Sequence, residues 1–232
     1  MTMRPFVFIN VAVTADGKMD TFEGRGAAIS SVADKERVLR LRAGADAVMV
    51  GGHTLLVEDP QLTVKTAGLR AERTARGLAE NPLKVGIITR AELDPHGAFM
   101  SSGPARRVIF TTSQTSPEQI NVLSAHGAEV YVLGKKRVNL EQALETLYTL
   151  GVRRLMVEGG GSLNFELLRA GLVDELYVYM AARIFGGKTA PTLATGEGLA
   201  AAQALKLKLV DVQVLDEDGG VLLRYRLTTE SN

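Results

Sequence analysis

The stretch "RLMVEGGGSLN", Arg154 to Asn164, runs from a short apolar segment through an acid and three glycines into the start of an amphipathic run. An apolar run of this length, closed by glycine, reads as a strand buried on both faces. Similar runs rich in Val, Ile and Phe recur at "FVFINVAV" (6–13), "DAVMVGG" (46–52), "KVGIIT" (84–89), "RVIFTT" (107–112) and "EVYVL" (129–133). Helical patterns lie between several of them. Ser31 to Arg42 carries Val38 and Leu41 and opens with Ser31 three residues before Asp34, a start resembling a capping box. Ser116-Pro117-Glu118-Gln119 repeats the signal with proline at the first helical position, and Asn139 to Gln142 opens a third helix in the same way. Apolar strands alternating with helices imply an α/β fold whose mostly parallel sheet is covered on both sides by helices.

The texture changes after Gly171. "DELYVYMAARIF", "LKLKLVDVQVLD" and "VLLRYRLTT" alternate like half-buried strands, and "DEDGG" joins the last two as a hairpin, so the C-terminal strands are expected to be antiparallel and the sheet mixed. No low-complexity linker or internal repeat interrupts the chain, which reads as one domain over residues 1–232. Lys65 to Pro82, rich in Arg, Ala and Gly and without a strand pattern, reads as a surface excursion from it.

Of the 232 residues 46% are apolar and 23% charged, the balance of an ordinary globular chain. A net charge of +1 supplies no field for nucleic acid or an acidic membrane, although local clusters can still hold phosphate. With no cysteine there is no disulfide, thiolate metal site or cysteine nucleophile. The apolar stretch Phe6 to Val13 flows into "TADGK" without a small-residue cleavage site, and no apolar run approaches the roughly 18 residues that cross a bilayer. A cytoplasmic protein that binds neither nucleic acid nor membrane is expected.

In open α/β sheets, ligands bind beyond the carboxyl ends of the strands. The segments at those positions are "GGHTLLVEDPQLT" (51–63), Thr89-Arg90, Thr111 to Ser113, "LGKK" (133–136) and "EGGGS" (158–162). Each carries small or hydroxylic residues that expose backbone donors. One alone is an ordinary turn; together they suggest an extended anionic ligand such as a dinucleotide. The spacing matches neither G-x-G-x-x-G nor G-x-x-x-x-G-K-[ST], and no G-x-S-x-G elbow is present. His53, His96 and His126 are scattered and make no metal site. A second polar group comprises Asn10, Asp16, Lys18, Ser30 and Arg42; spacing alone favours a strand ending in an Asp-Gly turn with solvated cations. Glu58-Asp59 before Pro60 fits a helix-ending loop. Glu158 is harder to explain structurally, because an acid closing an apolar strand needs a partner or a ligand.

With these motifs in view, the chain resembles the riboflavin-biosynthesis reductases that act on 2,5-diamino-6-ribosylamino-4(3H)-pyrimidinone 5′-phosphate, stand-alone relatives of the C-terminal domain of the bifunctional deaminase-reductase. The resemblance runs from Arg4 to Leu227 and rests on "INVAVTADGK", "LRAGADAVMVGGHTLLVEDPQLTV", "NPLKV", "VEGGGSLN", "GLVDELYVYMAARIFGGKTAPT" and "GEG". It implies a dihydrofolate-reductase-like fold, a homodimer, and NADPH as cofactor with NADH as the alternative. Carried over by position, it implies cofactor contacts at Thr54, Glu58, Thr89, Arg90, Gly134, Gly159, Gly160, Gly161, Ser162 and Leu163. On the substrate side it implies Asp16, Lys18, Arg42, Asp59, Leu62 and Glu158, to which Asn10 and Ser30 of the polar group are added, with Asp59, Glu158 and Lys18 as the catalytic group. The implied reaction delivers hydride to the ribose C1′ and yields a ribitylamino product.

Two departures stand out. Glu58-Asp59-Pro60 replaces the family's usual Asp-Asp-Pro, and Thr89-Arg90 replaces a frequent Asp-Ser, exchanging an acid for a guanidinium suited to the adenosine 2′-phosphate. The excursion at 65–82 also looks longer than in close relatives. Two other readings are a dihydrofolate, pterin or carbonyl reductase on the same scaffold, and a nucleotide-binding protein without catalysis. The retained acids Asp59 and Glu158 speak against the second.

Overall fold

A computed structural model describes residues 3–228. Nine strands are present among them: β1 (Phe6–Thr14), β2 (Ala47–Gly51), β3 (Leu83–Ile87), β4 (Arg107–Thr111), β5 (Ala128–Val132), β6 (Arg154–Val157), β7 (Glu175–Ala181), β8 (Leu207–Val214) and β9 (Val221–Leu227). The helices are α1 (Val32–Gly44), α2 (Gly52–Val57), α3 (Ala67–Ala75), α4 (Ala98–Ser101), α5 (Pro117–Ala125), α6 (Leu140–Thr149) and α7 (Gly161–Arg169). Thr229, the last residue of the expected "VLLRYRLTT" strand, lies outside the described residues. Contacts divide the chain into two compact units: Leu39–Met156 with the residues before Val7, and Val7–Val38 with the residues from Val157 onward.

In the first unit β2, β3, β4 and β5 pair in sequence, all parallel. β2 and β3 are buried along their whole length, so β2 is apolar throughout and β3 is broken only by Lys84. The helix starts follow the capping chemistry. Ser116 Oγ accepts the Gln119 N–H at 3.2 Å with Pro117 in the first turn, and Asn139 Oδ1 accepts the Gln142 N–H at 3.1 Å. The excursion is anchored more firmly than its composition suggests. Arg73 on α3 is buried and donates to the carbonyls of Arg42, Ala43, Ala45 and Ala79, so it caps the carboxyl end of α1.

In the second unit β1 and β7 pair in parallel, while β9 is antiparallel to both β7 and β8. The mostly parallel sheet with antiparallel C-terminal strands is therefore as the sequence pattern indicates. The helix start at Ser31 departs from it in detail: Ser31 Oγ accepts the Asp34 N–H, but the Asp34 carboxylate turns to Arg37 instead of reaching back. Every residue of β8 is exposed, including Leu207, Leu209, Val210, Val212 and Val214.

Candidate active site

Because β2 to β5 are parallel and in order, the segments that follow them share one edge of the first unit. At the end of β2 the chain passes into α2, where Gly52 has little room for a side chain because a Cβ would lie 3.0 Å from Ile88 Cγ1. Thr54 is buried in this helix, and its carbonyl accepts the N–H groups of Glu58 and Asp59 at 3.0 and 3.1 Å. Glu58 is exposed. Asp59 and Leu62 both have positive φ, 43° and 49°, a conformation that non-glycine residues adopt only when their surroundings hold it. Leu62 is fully buried, and the Val64 N–H behind it is taken by Asn81 Oδ1 at 2.8 Å. Both carboxylate oxygens of Asp59 accept backbone N–H groups at the start of α4, from Ala98 and, at 2.8 Å, from Phe99. Arg42 donates to the Thr63 carbonyl at 3.3 Å.

The ends of β3, β4 and β5 are tied together by hydroxyls and one amide. The Thr111 and Thr112 hydroxyls donate to the Thr89 carbonyl. Gln114 accepts from Arg90 Nε at 3.4 Å and donates to the Lys135 carbonyl at 3.0 Å, spanning all three strand ends. Gly134, at φ 126°, accepts the Ser113 N–H through its carbonyl. Beside this ladder lies a cavity of about 490 Å³ lined by Arg90, Glu92, Asp94, Gln114 and Ser116 among others. Gln114 and Ser116 are members that sequence reasoning missed; the signal was the capped helix start that Ser116 announces.

In the second unit the Gly-Gly-Gly turn leads directly into α7. Gly160 is the N-cap, without a side-chain cap, and the first turn contains no acid. Gly161 can be nothing larger, since a Cβ would stand 2.4 Å from the Thr192 carbonyl oxygen and 2.6 Å from Thr195 Oγ1. Gly159 has φ 94°. Asn164 is fully buried and donates to the Leu193 carbonyl, while its Oδ1 has no partner. Ser162 is exposed, Leu163 buried and Glu158 half-buried. A nine-residue helix with no side-chain cap from its N-cap residue and no acid in its first turn suits an anion. This start therefore fits the diphosphate of a dinucleotide.

The "TADGK" segment is a tight turn. Thr14 and Lys18 exchange backbone and hydroxyl hydrogen bonds across Gly17, at φ 78°. The Asp16 carboxylate accepts from the Thr14 hydroxyl and from the Phe185 and Gly186 N–H groups, and the Thr14 bond first of all holds its pKa below the usual carboxylate value. Lys18 is half-buried, with its backbone bridged to Thr192. Asn10 is buried on β1 and its Oδ1 accepts from Arg37, which also binds Asp34. Ser30 is half-buried. Asp16 is thus engaged with its own unit's backbone, whereas Asn10 is oriented by a cation the sequence reading had not singled out. Among the described residues no group of three or more His, Asp or Glu is placed to hold a metal ion, and no helix is long and apolar enough to cross a membrane.

The mostly parallel sheet with antiparallel C-terminal strands is shared with solved reductase domains of the dihydrofolate-reductase-like class, and the relatives named below make the chain an oxidoreductase. The family model of the RibD C-terminal domain matches residues 5–220, and the chain belongs to that family. It is 40% identical to the 2,5-diamino-6-ribosylamino-4(3H)-pyrimidinone 5′-phosphate reductase of Archaeoglobus fulgidus, over 96% of this chain and 99% of that one. To the reductase of the same name from Methanothermobacter thermautotrophicus it is 41% identical, over 93% and 96%. Among solved structures, the deaminase/5-amino-6-(5-phosphoribosylamino)uracil reductase of Thermotoga maritima superposes with a TM-score of 0.76 at 25% identity; 97% of this chain matches 57% of that longer one.

Proposed function

We propose that this chain reduces 2,5-diamino-6-ribosylamino-4(3H)-pyrimidinone 5′-phosphate to the ribitylamino product, using NADPH, as a single reductase domain. The observation that carries this is the 40% identity to a reductase of that name along virtually its whole length. NADPH, when bound, supplies the hydride. The leading N–H groups of Gly161, Ser162 and Leu163 hold its diphosphate, with Gly159 and Gly160 giving the backbone close approach. Thr54, Glu58, Thr89 and Gly134 are assigned to the same cofactor on the family resemblance. Arg90, exposed beside the 490 Å³ cavity, is assigned to the adenosine 2′-phosphate, which a guanidinium grips with paired N–H donors.

On the substrate, opening of the sugar breaks C1′–O4′, places a proton on O4′ and leaves an imine at C1′. Hydride adds to C1′ and a proton adds to the nitrogen, giving the ribitylamine. Both oxygens of Asp59 already accept N–H bonds, so Asp59 contributes fixed charge and Glu158 handles the proton. Lys18 and Arg42 are assigned to positioning the phosphorylated chain, Asn10, Asp16 and Ser30 to its polar groups, and Leu62 to the base. The exposed apolar edge strand β8 is proposed as the seam of a homodimer, since an uncovered strand of this kind invites pairing. Light scattering at micromolar protein should return twice the monomer mass. A cytoplasmic setting suits a chain without cysteine.

Oxidation of NADPH, followed with the ribosylaminopyrimidine phosphate and separately with dihydrofolate, tests the reading. Turnover of the first alone is expected; turnover of dihydrofolate alone would replace it with the pterin-reductase reading.

A further inference from the structure

The "NPLKV" segment holds a residue that no assigned role accounts for. Lys84 is the second residue of β3, a strand buried at every position, and is itself fully buried. A buried ammonium is costly unless it is well bonded. Its Nζ donates to the carbonyls of Phe99 at 3.0 Å and Ser102 at 2.6 Å and lies 5.9 Å from the Phe99 ring centroid. Those carbonyls belong to the carboxyl end of α4, a helix of four residues with no side-chain cap of its own. At its other end the Asp59 carboxylate takes the Ala98 and Phe99 N–H groups. Gly97 makes this approach possible, because a Cβ there would lie 2.7 Å from Asp59 Oδ2. One short helix is therefore held between an anion at its amino end and a cation at its carboxyl end, each in the favourable sense. Asn81, from the same segment, fixes the far side of the loop through Val64.

We propose that Lys84 is the positioning residue of Asp59: by fixing α4 it sets the seat in which the strained Glu58–Leu62 loop is locked. The inference rests on the proposed substrate-side role of Asp59. Lys84 touches neither ligand in this account and acts only through α4. Its removal therefore unseats Asp59 and leaves the rest of the first unit's sheet in place.

The test is a double-mutant cycle on the full chain with Lys84→Met, Asp59→Asn and both, read by kcat/KM and by amide exchange at Ala98 and Phe99, with Met49 on β2 as internal reference. Lys84→Met should lower kcat/KM roughly tenfold or more. It should speed exchange at Ala98 and Phe99 by about tenfold while leaving Met49 protected, and add no further loss to Asp59→Asn. Losses that multiply in the double variant, or exchange at Ala98 and Phe99 that stays slow, would overturn the proposal. If Lys84→Met does not fold, Ala98→Pro serves. Proline suits the first position of a helix, Gly97 before it is already extended (φ −59°, ψ 165°), and the substitution removes one N–H that Asp59 accepts. It should lower kcat/KM to a similar degree; wild-type kinetics in this variant would count against the idea. Should the unaltered protein fail to turn over the ribosylaminopyrimidine phosphate, the functional reading falls, and the exchange measurement alone decides the role of Lys84.

Discussion

Two acids follow strands in this protein, Asp59 beyond β2 and Glu158 beyond β6, and their surroundings are built on opposite principles. Around Asp59 the polar groups are consumed internally: its oxygens cap α4, Asn81 takes the Val64 N–H, and positive φ at Asp59 and Leu62 is held by that network. Around Glu158 the helix start lacks a side-chain cap, its first turn lacks an acid, and glycine stands where a side chain would collide. A saturated loop offers shape and fixed charge. An uncapped helix start keeps its donors for something that arrives. The difference is one of rigidity in the first region against, in the function proposed above, ligand binding in the second.

Perturbing the second region should have the largest effect. Glu158→Gln is expected to lower kcat by about a hundredfold or more with an unchanged thermal midpoint, the scale of a lost proton donor; a stopped-flow trace matching the parent protein would return Glu158 to a structural role. Gly161→Ala should cost about 3 kcal/mol in urea unfolding, because the new methyl meets the Thr192 carbonyl, backbone that has little freedom to yield. A loss below about 1 kcal/mol would show that the 192–195 segment moves aside easily.

In the first region the buried cation gives a pH signature. Burial, aided by Arg107 and opposed by Asp59, pushes the Lys84 pKa from 10.5 down to about 8. Between those values the unfolded chain holds a proton that the folded chain has released, so stability rises with pH across that window. The rise amounts to at most about 3 kcal/mol, is absent below pH 8, where both states are protonated, and should vanish in Lys84→Met. Urea titrations of both proteins from pH 7 to 10.5 check it, and parallel curves would show that Lys84 is not perturbed. Smaller still, Arg90→Ala should narrow the preference for NADPH over NADH by about tenfold, roughly 1.4 kcal/mol. Equal Michaelis constants for the two cofactors in the parent protein, unaltered in the variant, would remove Arg90 from the 2′-phosphate.

Much of this contrast was legible in the sequence wherever its cause was local. Ser116-Pro117 and Asn139 mark helix starts through side chains that bond three residues ahead, and the unbroken apolar run of β2 follows from burial on both faces. The seat of Asp59 was not legible, since it is made by backbone N–H groups 39 and 40 residues away and no composition announces α4. Arg73 was concealed for the same reason: it reads as one charge in a polar excursion, yet it caps α1 from 28 to 31 residues away. Lys84 left a visible trace, a single lysine inside an otherwise apolar strand, and that interruption is the signal by which a buried cation can be found. The glycine turn was half legible: its permissiveness was plain, but the steric demand at Gly161 comes from Thr192 and Thr195, some thirty residues on.

Whether the start of α7 keeps its donors for an anion is decided by Ser162→Glu. Ser162 is exposed in the first turn, and an acid there interacts favourably with the helix start, adding about 0.5 kcal/mol to stability while repelling a diphosphate. Fluorescence titration should show the Kd for NADPH raised by about tenfold or more, with unfolding free energy unchanged or slightly higher. An unchanged Kd in a protein of equal stability would contradict the claim.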